Sequence, residues 1–446
     1  MSFEGIRVAF VTLGCAKNEV DTDKMRARLA AATFTLVDSC QEADVIVVNT
    51  CAFLESAVEE GLELIFDIVD EVEEAATGAK VLVAGCMPAR YGQQLADELS
   101  EVAGFVSLQD EPDIAACVLR ALGLEQPVPT CLELPAPVRD QAGPFSYVKI
   151  SDGCDRFCSY CMIPHIRGRY HSYPLESILA EVDELVAAGT REVVFIGQDT
   201  GLWGRDFQTP SSTAVLLDVA ATRHPGTWFR LLYLQPAGIT DELLACMRGH
   251  ANVCPYLDMP LQHADAELLS RMNRQGGAEA YLELLAHVRK QVPGIATRTT
   301  FMAGFPGETP EMFQELLGFV DEARFDYAGV FAYSREEGSA AAGFPGQLAA
   351  DEKLARAQQL LDACEAVGRA QVRRFIGQEL PVLVEGYERT EAGLEALCRT
   401  QAQAPEVDGQ VHVPVASEGQ LAVGSFAQVR ITDTFFYELE GELVGQ

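Results

Sequence analysis

Apolar residues near the start of the chain fall in short β-branched runs, each followed by a longer segment with helical spacing. The runs lie at Ile6–Val11, Val45–Asn49, Val81–Ala84 and Phe105–Ser107, and the alternation continues to about residue 123. Such alternation is typical of βαβ units on a parallel sheet. The sequence therefore predicts an open parallel α/β sheet for residues 1–134.

A proline-rich stretch follows, with Pro127, Pro129, Pro135, Pro137 and Pro144 and neither a helical nor a strand period, which predicts a linker at 135–144. The alternation then resumes over residues 145–376, where six strand candidates are separated by segments long enough for helices. A partial (β/α)6 barrel is predicted there. The candidates are Tyr147–Ile150, Val193–Gly197, Phe229–Tyr233, Tyr256–Met259, Thr297–Met302 and Gly329–Ala332.

The period changes again after a long predicted helix at Ala350–Phe375. Leu380–Val384, Gly409–Val413 and Phe426–Ile431 alternate in twos and are interrupted by glycine and charge. This pattern predicts a small antiparallel β-barrel at residues 377–446. At 446 residues and 48% hydrophobic composition, the chain has enough apolar material for the three domains.

Composition narrows the class of protein. No run of eighteen apolar residues occurs, and Met1–Arg7 lacks the features of a secretory signal, so a cytoplasmic protein without membrane spans is predicted. Thirteen cysteines in a reducing compartment indicate metal ligation or buried thiols rather than disulfides. The net charge of -33 disfavours nucleic-acid binding, although acidity can simply aid solubility.

Three cysteines with C-x3-C-x2-C spacing stand on a loop directly after the first predicted barrel strand. They are Cys154, Cys158 and Cys161, at the strand end where α/β barrels place their chemistry. Three thiolates anchor a four-iron cluster and leave one iron open to a chelating ligand such as S-adenosylmethionine (SAM). An electron from the cluster would then cleave SAM to a deoxyadenosyl radical. The alternatives are three buried thiols or a zinc site with His165 as fourth ligand.

A second set of cysteines follows predicted strands of the N-terminal sheet. Cys15, Cys51 and Cys86 each stand just beyond such a strand, and the carboxyl ends of neighbouring parallel strands share one edge. Taken singly, each would be an ordinary buried side chain. Their repeated placement predicts that the three converge on a second four-iron cluster with a free iron.

These motifs resemble the radical-SAM methylthiotransferases over nearly the whole chain. The resemblance implies two 4Fe-4S clusters and SAM: the N-terminal cluster supplies or relays sulfur, and the other opens the substrate carbon. One SAM makes the radical and another gives the methyl group. The matching runs are Leu13–Asn18 with Asp21, Asn49–Cys51, Gly85–Cys86, Gly153–Cys161, Ile163–Pro164 and Arg167–Gly168.

Three further residues are candidates for SAM binding. The resemblance places Tyr160 against the adenine, with a core tyrosine as the alternative. Gln198 lies at the carboxyl end of the second barrel strand. Arg298 lies on the inner period of the fifth strand and could reach the SAM carboxylate, but a structural salt bridge is an equal alternative for it.

Within the family, the chain resembles the branch that modifies an aspartate β-carbon of small-subunit ribosomal protein S-twelve. Gln198-Asp199-Thr200 stands where the tRNA-modifying branch usually has Gln-Asn-Val. The C-terminal region resembles a TRAM domain, which elsewhere binds RNA. From Gln378 onward, however, it carries twelve Asp/Glu against three Lys/Arg, a net of -9, and such a surface repels phosphate and attracts a basic protein.

The predicted partners are therefore the ribosomal protein and an electron donor, and a nucleic acid is not the predicted substrate. Two alternatives stay open. The first is a tRNA adenosine methylthiotransferase, which would call for a basic C-terminal face. The second is a non-catalytic iron-sulfur or ribosome-binding protein. An electron carrier would want fully ligated clusters, whereas each set here has three cysteines.

Overall fold

The computed structural model describes residues 3, 5–124, 143–391 and 393–445. The chain divides into two compact units. The first comprises Met1–Gln141, Asp152–Asp155 and Cys161–Tyr170, and the second comprises Ala142–Ser151, Arg156–Tyr160 and His171–Gln446. The predicted boundary at residue 134 and most of the linker lie outside the described residues, so the three-domain division stays a prediction. No helix in the described ranges is long and apolar enough to cross a membrane.

The first unit is a five-stranded parallel sheet with helices on both faces. Its elements are β1 Arg7–Thr12, α1 Ala16–Ala31, β2 Thr35–Leu36, β3 Val45–Thr50, α2 Glu55–Glu74, β4 Lys80–Gly85, α3 Cys86–Tyr91, α4 Gln93–Glu98, β5 Gly104–Ser107 and α5 Ile114–Ala121. The strand order is β2-β1-β3-β4-β5, and all neighbouring pairs are parallel. The prediction of an open parallel sheet is confirmed. The two-residue β2 was too short to give a sequence signal.

Strand β3 shows why this sheet forms. All six of its residues are buried, because helices cover both faces of the sheet. Val45 and Val47 pack in one core with α1 and α5, whereas Ile46 and Val48 pack in another core with α2. The alternation of side chains along a strand divides one continuous apolar run between two cores.

The central part of the chain forms two three-stranded parallel sheets, β10-β9-β6 and β11-β12-β13. Both sheets pack against the surrounding helices in one hydrophobic core, to which Phe195, Phe229, Leu257 and Phe301 belong. This arrangement confirms the prediction of a partial barrel with six strands. The elements are β6 Phe145–Lys149, β7 Ser151–Asp152, α6 Ile163–Ile166, β8 His171–Ser172, α7 Leu175–Ala188, β9 Glu192–Ile196, α8 Thr213–Arg223, β10 Trp228–Leu231, α9 Asp241–Gly249, β11 Tyr256–Asp258, α10 Ala266–Arg271, α11 Ala278–Gln291, β12 Ala296–Ala303, α12 Pro310–Ala323, β13 Tyr327–Ala332 and α13 Ala350–Val372.

The last part of the chain is a closed five-stranded barrel. Its strands are β14 Glu379–Thr390, β15 Gly393–Thr400, β16 Val411–Pro414, β17 Phe426–Phe435 and β18 Glu438–Leu443, in the order β14-β15-β16-β18-β17. The antiparallel prediction needs one correction, because β16 and β18 pair in parallel. Strands β15 and β18 were not predicted from the alternation of apolar residues. In β18, which reads ELEGEL, only Leu439 and Gly441 are buried, so the apolar alternation is weak.

A buried polar network, which we call the C-terminal junction, joins this barrel to the first residues of the central strands within the second unit. Glu192 at the start of β9 accepts hydrogen bonds from Arg230 and Arg399, each at 2.6 Å, and all three side chains are buried. Tyr256 at the start of β11 donates to Asp408 at 2.7 Å. The junction comprises Glu192, Arg230, Tyr256, Arg298, Glu385, Arg399 and Asp408.

Candidate functional site

The three N-terminal cysteines lie at one edge of the first unit's sheet. Cys15, Cys51 and Cys86 follow β1, β3 and β4, which are neighbours in the sheet. The sulfur atoms of Cys15 and Cys86 lie 3.9 and 3.8 Å from the same carboxamide oxygen, that of Asn18. The fold thus brings together three residues that are far apart in sequence.

Two glycines allow this close approach. Gly14 and Gly85 precede Cys15 and Cys86 and have φ angles of +103° and +91°. A Cβ atom at Gly14 would lie 2.7 Å from the Cβ of Cys51, and one at Gly85 would lie 2.1 Å from an amide oxygen of Asn49. Both the backbone conformation and the available space therefore require glycine.

Two buried amides hold the cysteine-bearing loops together. Asn18 donates to the carbonyl oxygens of Leu13 and Thr50 at 3.0 and 2.9 Å. Asn49 donates to the carbonyl of Asn18 and to the hydroxyl of Thr22, both at 2.9 Å. These bonds cross between the segments after β1 and β3, so the cysteine positions are set by the fold and not by local loop conformation.

A buried cation lies against the same edge. The Arg167 side chain is 2% exposed and donates to Asn18 and Asp21, each at 3.0 Å, and to Asp152 at 3.2 Å. Its Nη2, which donates to Asn18 and Asp21, lies 3.6 Å from the sulfur of Cys86. Burial opposes the charge, but the two carboxylates outweigh it and hold the pKa of Arg167 above its ordinary value. We call Cys15, Cys51, Cys86, Asn18 and Arg167 the sulfur edge.

Burial also affects the protonation of two of these thiols, those of Cys51 and Cys86. It raises the pKa of Cys86 to about 12 and shifts the pKa of Cys51 upward, while Arg167 acts in the opposite direction on both. Iron binds the thiolate, so loading the sulfur edge would release protons. Because the cation favours the thiolate, it offsets part of the cost of burial.

The sulfur edge suits an iron-sulfur cluster better than a single metal ion. Within the described ranges, no three or more His, Cys, Asp or Glu side chains are grouped so that they could hold one ion. A four-iron cluster binds each thiolate to a different iron, so its ligands surround a volume and need not converge on a point. Three thiols at three neighbouring strand ends fit that requirement, and the ligation itself stays a prediction.

In the first unit, the beginning of the three-cysteine loop is held by close backbone packing. The amide of Cys154 donates to the carbonyl of Gly168 at 3.1 Å. Gly153 has a φ of +69°, and a Cβ there would lie 2.2 Å from the carbonyl oxygen of Arg169. Cys154 is buried and Cys161 is half-buried. The glycine before Cys154 therefore serves close packing, as Gly14 and Gly85 do at the sulfur edge.

In the second unit, the segment Arg156–Tyr160 is anchored by the turn after α10. Asn273 donates to the carbonyls of Arg156 and Phe157, both at 3.0 Å. The amide of Ser159 donates to the carbonyl of Met272 at 3.0 Å. Phe157 has a φ of +48°, a backbone conformation that is unfavourable for a bulky residue. The hydrogen bond from Asn273 to the Phe157 carbonyl holds the backbone in this conformation.

A polar cavity of about 380 Å³ lies beside this segment and within the size range of small-molecule sites. Arg274 donates to the hydroxyl of Tyr160 at 3.2 Å, to the carbonyl of Pro260 at 2.5 Å and to Gln235. Tyr160 and Cys158 were named as candidates from sequence, but Arg274, which has no distinguishing spacing, was missed. The lining includes Arg156, Cys158, Gln235, Asn273, Arg274 and Gln275.

The three SAM candidates have different surroundings. Tyr160 packs against the barrel core, and its hydroxyl meets Arg274. Gln198 lies half-buried two residues beyond β9. Arg298 pairs with Asp258 at 3.0 Å and with Asp408 of the C-terminal junction at 3.5 Å. This is the salt-bridge alternative, so Arg298 is not carried into the proposed SAM site.

Models of three families match separate parts of the chain. The model described as the radical SAM superfamily matches residues 148–320, the one described as uncharacterized protein family UPF0004 matches residues 7–107, and the one described as the TRAM domain matches residues 376–444. Solved structures of similar fold include the radical SAM methyltransferase TsrM from Kitasatospora setae. It has a TM-score of 0.56 and 16% identity, and the match covers 74% of this chain and 75% of that one.

Relatives of known name match almost end to end. The ribosomal protein uS12 methylthiotransferase RimO of Geobacter sulfurreducens is 41% identical over 98% of both chains. Proteins of the same name from Geotalea uraniireducens and Natranaerobius thermophilus are 40% and 36% identical, covering 98% and 99% of this chain and 98% and 100% of their own lengths. The chain therefore belongs to the RimO family of radical-SAM methylthiotransferases.

Proposed function

We propose that this protein inserts a methylthio group at the β-carbon of an aspartate in ribosomal protein uS12. The observation that carries the proposal is the pair of three-cysteine sets, one on the loop after β6 and one gathered at the sulfur edge. Relatives that match along the whole chain bear the name of this activity. When bound, the clusters and SAM supply the radical, the sulfur and the methyl group.

The ligands follow from the two cysteine sets. Cys154, Cys158 and Cys161 would hold the radical-SAM cluster, because their spacing leaves one iron open to SAM. Cys15, Cys51 and Cys86 would hold the N-terminal cluster. In both sets the proposed donors are thiols only, and the glycines before Cys15, Cys86 and Cys154 allow close packing of the backbone at those three positions.

The polar cavity beside Cys158 is the proposed SAM site. Arg274 brings a buried positive charge and several N–H donors to it, which suits a carboxylate or hydroxyl ligand. Tyr160 offers an aromatic ring and Gln235 an amide at the same place. Arg156 lines the cavity while paired with Asp199 at 2.7 Å, so its position is set before any ligand binds.

Charge on the C-terminal barrel favours the protein substrate over tRNA. Twelve acidic against three basic residues from Gln378 onward would repel RNA phosphate and attract a basic ribosomal protein. Attraction of this kind speeds association and weakens with salt. The reaction also needs a low-potential electron donor as a second partner.

The test uses the full chain with both clusters assembled without oxygen. The protein is given SAM, reductant and sulfide with either uS12 or tRNA, and the mass of each substrate is followed. A methylthio gain on uS12 alone is expected. A gain on tRNA alone would contradict the substrate assignment, and the absence of deoxyadenosine with both substrates would contradict the enzymatic reading.

Cysteine variants separate the two sets. Cys154→Ala should abolish SAM cleavage, whereas Cys15→Ala should spare cleavage but stop sulfur insertion. Cys254→Ala is the matched control, because this thiol is also buried but stands apart from both sets. If Cys254→Ala lost SAM cleavage as completely as Cys154→Ala, the assigned ligands would be wrong.

A further inference from the structure

Arg167 reaches the sulfur edge from a segment that begins with a ligand proposed for the other cluster. Cys161–Tyr170 belongs to the first unit and starts at Cys161. Met162, just before the short helix α6, and Ile166, the last residue of α6, are buried in the same core as Ile46 and Val48. The segment is therefore fixed to the N-terminal sheet by apolar packing, and the next residue after Ile166 is Arg167.

The guanidinium of Arg167 stands between two carboxylates and a sulfur. It lies 3.0 Å from Asp21, 3.2 Å from Asp152 and 3.6 Å from the sulfur of Cys86. The side chains of Arg167 and Asp21 are 2% and 3% exposed, so water and salt screen their charges weakly. Hydrogen bonds to cluster sulfur and net charge near a cluster are the levers by which a protein sets its potential.

We propose that Arg167 is a positioning residue that raises the reduction potential of the N-terminal cluster, and that Asp21 opposes it. The inference rests on the proposed ligation of that cluster by Cys15, Cys51 and Cys86. Reduction adds one electron and one negative charge to a buried site. A neighbouring cation and N–H donor stabilise the reduced state, whereas a neighbouring carboxylate destabilises it.

Two features distinguish this role from simple packing. First, removing the cation leaves Asp21 and Asp152 uncompensated, so the loss of Arg167 adds negative potential at the cluster. Second, Asp21→Asn keeps the shape of the side chain and removes only its charge. The two changes should therefore move the potential in opposite directions, which a general loosening of the edge would not do.

The test isolates the N-terminal cluster in the full chain. Cys154, Cys158 and Cys161 are changed together to alanine, iron and sulfide are added without oxygen, and the paramagnetic signal of the reduced cluster is followed while dithionite sets the potential. Arg167→Gln should lower the equilibrium constant for reduction at least tenfold, which is about 59 mV for one electron. Asp21→Asn should raise that constant, and Arg167→Lys should retain most of the original value.

Arg169→Gln is the matched control, since this arginine lies two residues further on and its side chain is 73% exposed. It should leave the potential unchanged. An unshifted potential in Arg167→Gln with full iron content would overturn the inference, as would a shift of the same sign in Asp21→Asn. If Arg167→Gln assembles no cluster, the sign of the Asp21→Asn shift decides.

Failure of the proposed ligation gives a different result. If the background with the three loop cysteines removed binds no four-iron cluster, the assignment of Cys15, Cys51 and Cys86 fails together with the proposed function. If it binds the cluster and the potentials do not respond to Arg167 or Asp21, only the role of this pair fails.

Discussion

Within the described part of the chain, both the sulfur edge and the C-terminal junction bury arginines among carboxylates, and the surroundings of these arginines differ. At the sulfur edge, Arg167 shares its hydrogen bonds between carboxylates, the amide of Asn18 and the sulfur of Cys86. At the junction, Arg399 donates to the carboxylates of Glu385 and Glu192 and to the main-chain carbonyl of Gln403, and it ties β15 to β9.

One kind of buried ion pair can therefore serve two purposes. A buried charge pair contributes little net stability compared with apolar packing, yet losing one partner is costly because a charge is left alone. At the junction, separating the C-terminal barrel from the central strands would leave these charges unpaired, so the ion pairs hold the two structures together within the second unit. The sulfur edge directs its cation toward a thiol, where it can act on a bound cluster.

The strongest test of this contrast is to remove Glu192. Glu192→Ala leaves Arg230 and Arg399 buried without their shared carboxylate, and we expect a loss of ~3–5 kcal/mol in the free energy of unfolding. Both tryptophans of the chain, Trp203 and Trp228, lie in the second unit, so denaturation followed by tryptophan fluorescence reports on that unit.

Glu279→Ala, on the exposed side of α11, is the control and should change the free energy of unfolding by less than about 0.5 kcal/mol. We also expect Glu192→Ala to leave the reduction potential of the N-terminal cluster unchanged. A shift in reduction potential as large as that of Arg167→Gln would show that the two regions do not have separate roles.

A second test uses acid. Burial by itself would raise the pKa of Glu192, but Arg230 and Arg399 outweigh it and hold that pKa below its ordinary value. A carboxyl with a lowered pKa in the folded state stabilises the protein above its unfolded-state pKa, and this contribution is lost as the pH falls through the folded-state value. The tryptophan-monitored stability should fall in that acidic window.

Glu192→Gln removes this titrating group, so the acidic decline should be shallower in the variant than in the parent protein. The comparison is made by repeating the denaturation at a series of pH values from neutral to acidic. An equally steep decline in both proteins would show that Glu192 does not govern the acid sensitivity of the second unit.

A smaller effect is expected from one hydroxyl of the junction. Tyr256→Phe removes the donor that lies 2.7 Å from the buried carboxylate of Asp408, and the loss of unfolding free energy should be ~1–3 kcal/mol. Tyr91→Phe, in the first unit, should leave the tryptophan transition where it is. Equal losses in both variants would mean that the bond to Asp408 contributes nothing specific.

The smallest effect concerns the outer surface of the barrel that the junction holds. Changing the exposed Glu388, Glu391 and Glu440 together to glutamine should raise the KM for uS12 roughly two- to tenfold at low salt, with kcat unchanged and the difference fading at high salt. The control changes three exposed acids of α2 to glutamine, Glu59, Glu60 and Glu63, with the same change in net charge. An identical rise in KM would locate the attraction in total charge and not in the C-terminal barrel.

Much of the architecture could be predicted from local pattern. The buried strands of both parallel regions gave continuous apolar runs, and their positions agree with the structure to within one or two residues, as for Val45–Thr50. Prediction failed where the pattern was weak. Strand β18 alternates glutamate with leucine and glycine, and its parallel pairing with β16 depends on closure of the barrel.

The placement of Cys15, Cys51 and Cys86 after neighbouring strands was predictable, but the side chains around them were not. Cysteine is chemically distinctive, so its spacing and its place after strands carried information. Arg274 is an ordinary arginine in sequence, and Arg167 belongs to a matching run that assigned it no role. Only their burial and partners in the structure show what they contact. Arg298 shows the same limit, since its strand position suggested a ligand contact and the structure pairs it with Asp258 and Asp408.

The order of α/β elements, the two cysteine sets and the acidity of the C-terminal barrel can be read from sequence, because each is a property of neighbouring residues or of composition. Which buried charges pair depends on tertiary folding. Glu192 and Arg399 are separated by 207 positions, and Arg167 and Asp21 by 146. No local sequence pattern encodes such a pair. The pair forms only when folding removes both charged groups from water and places each beside the opposite charge.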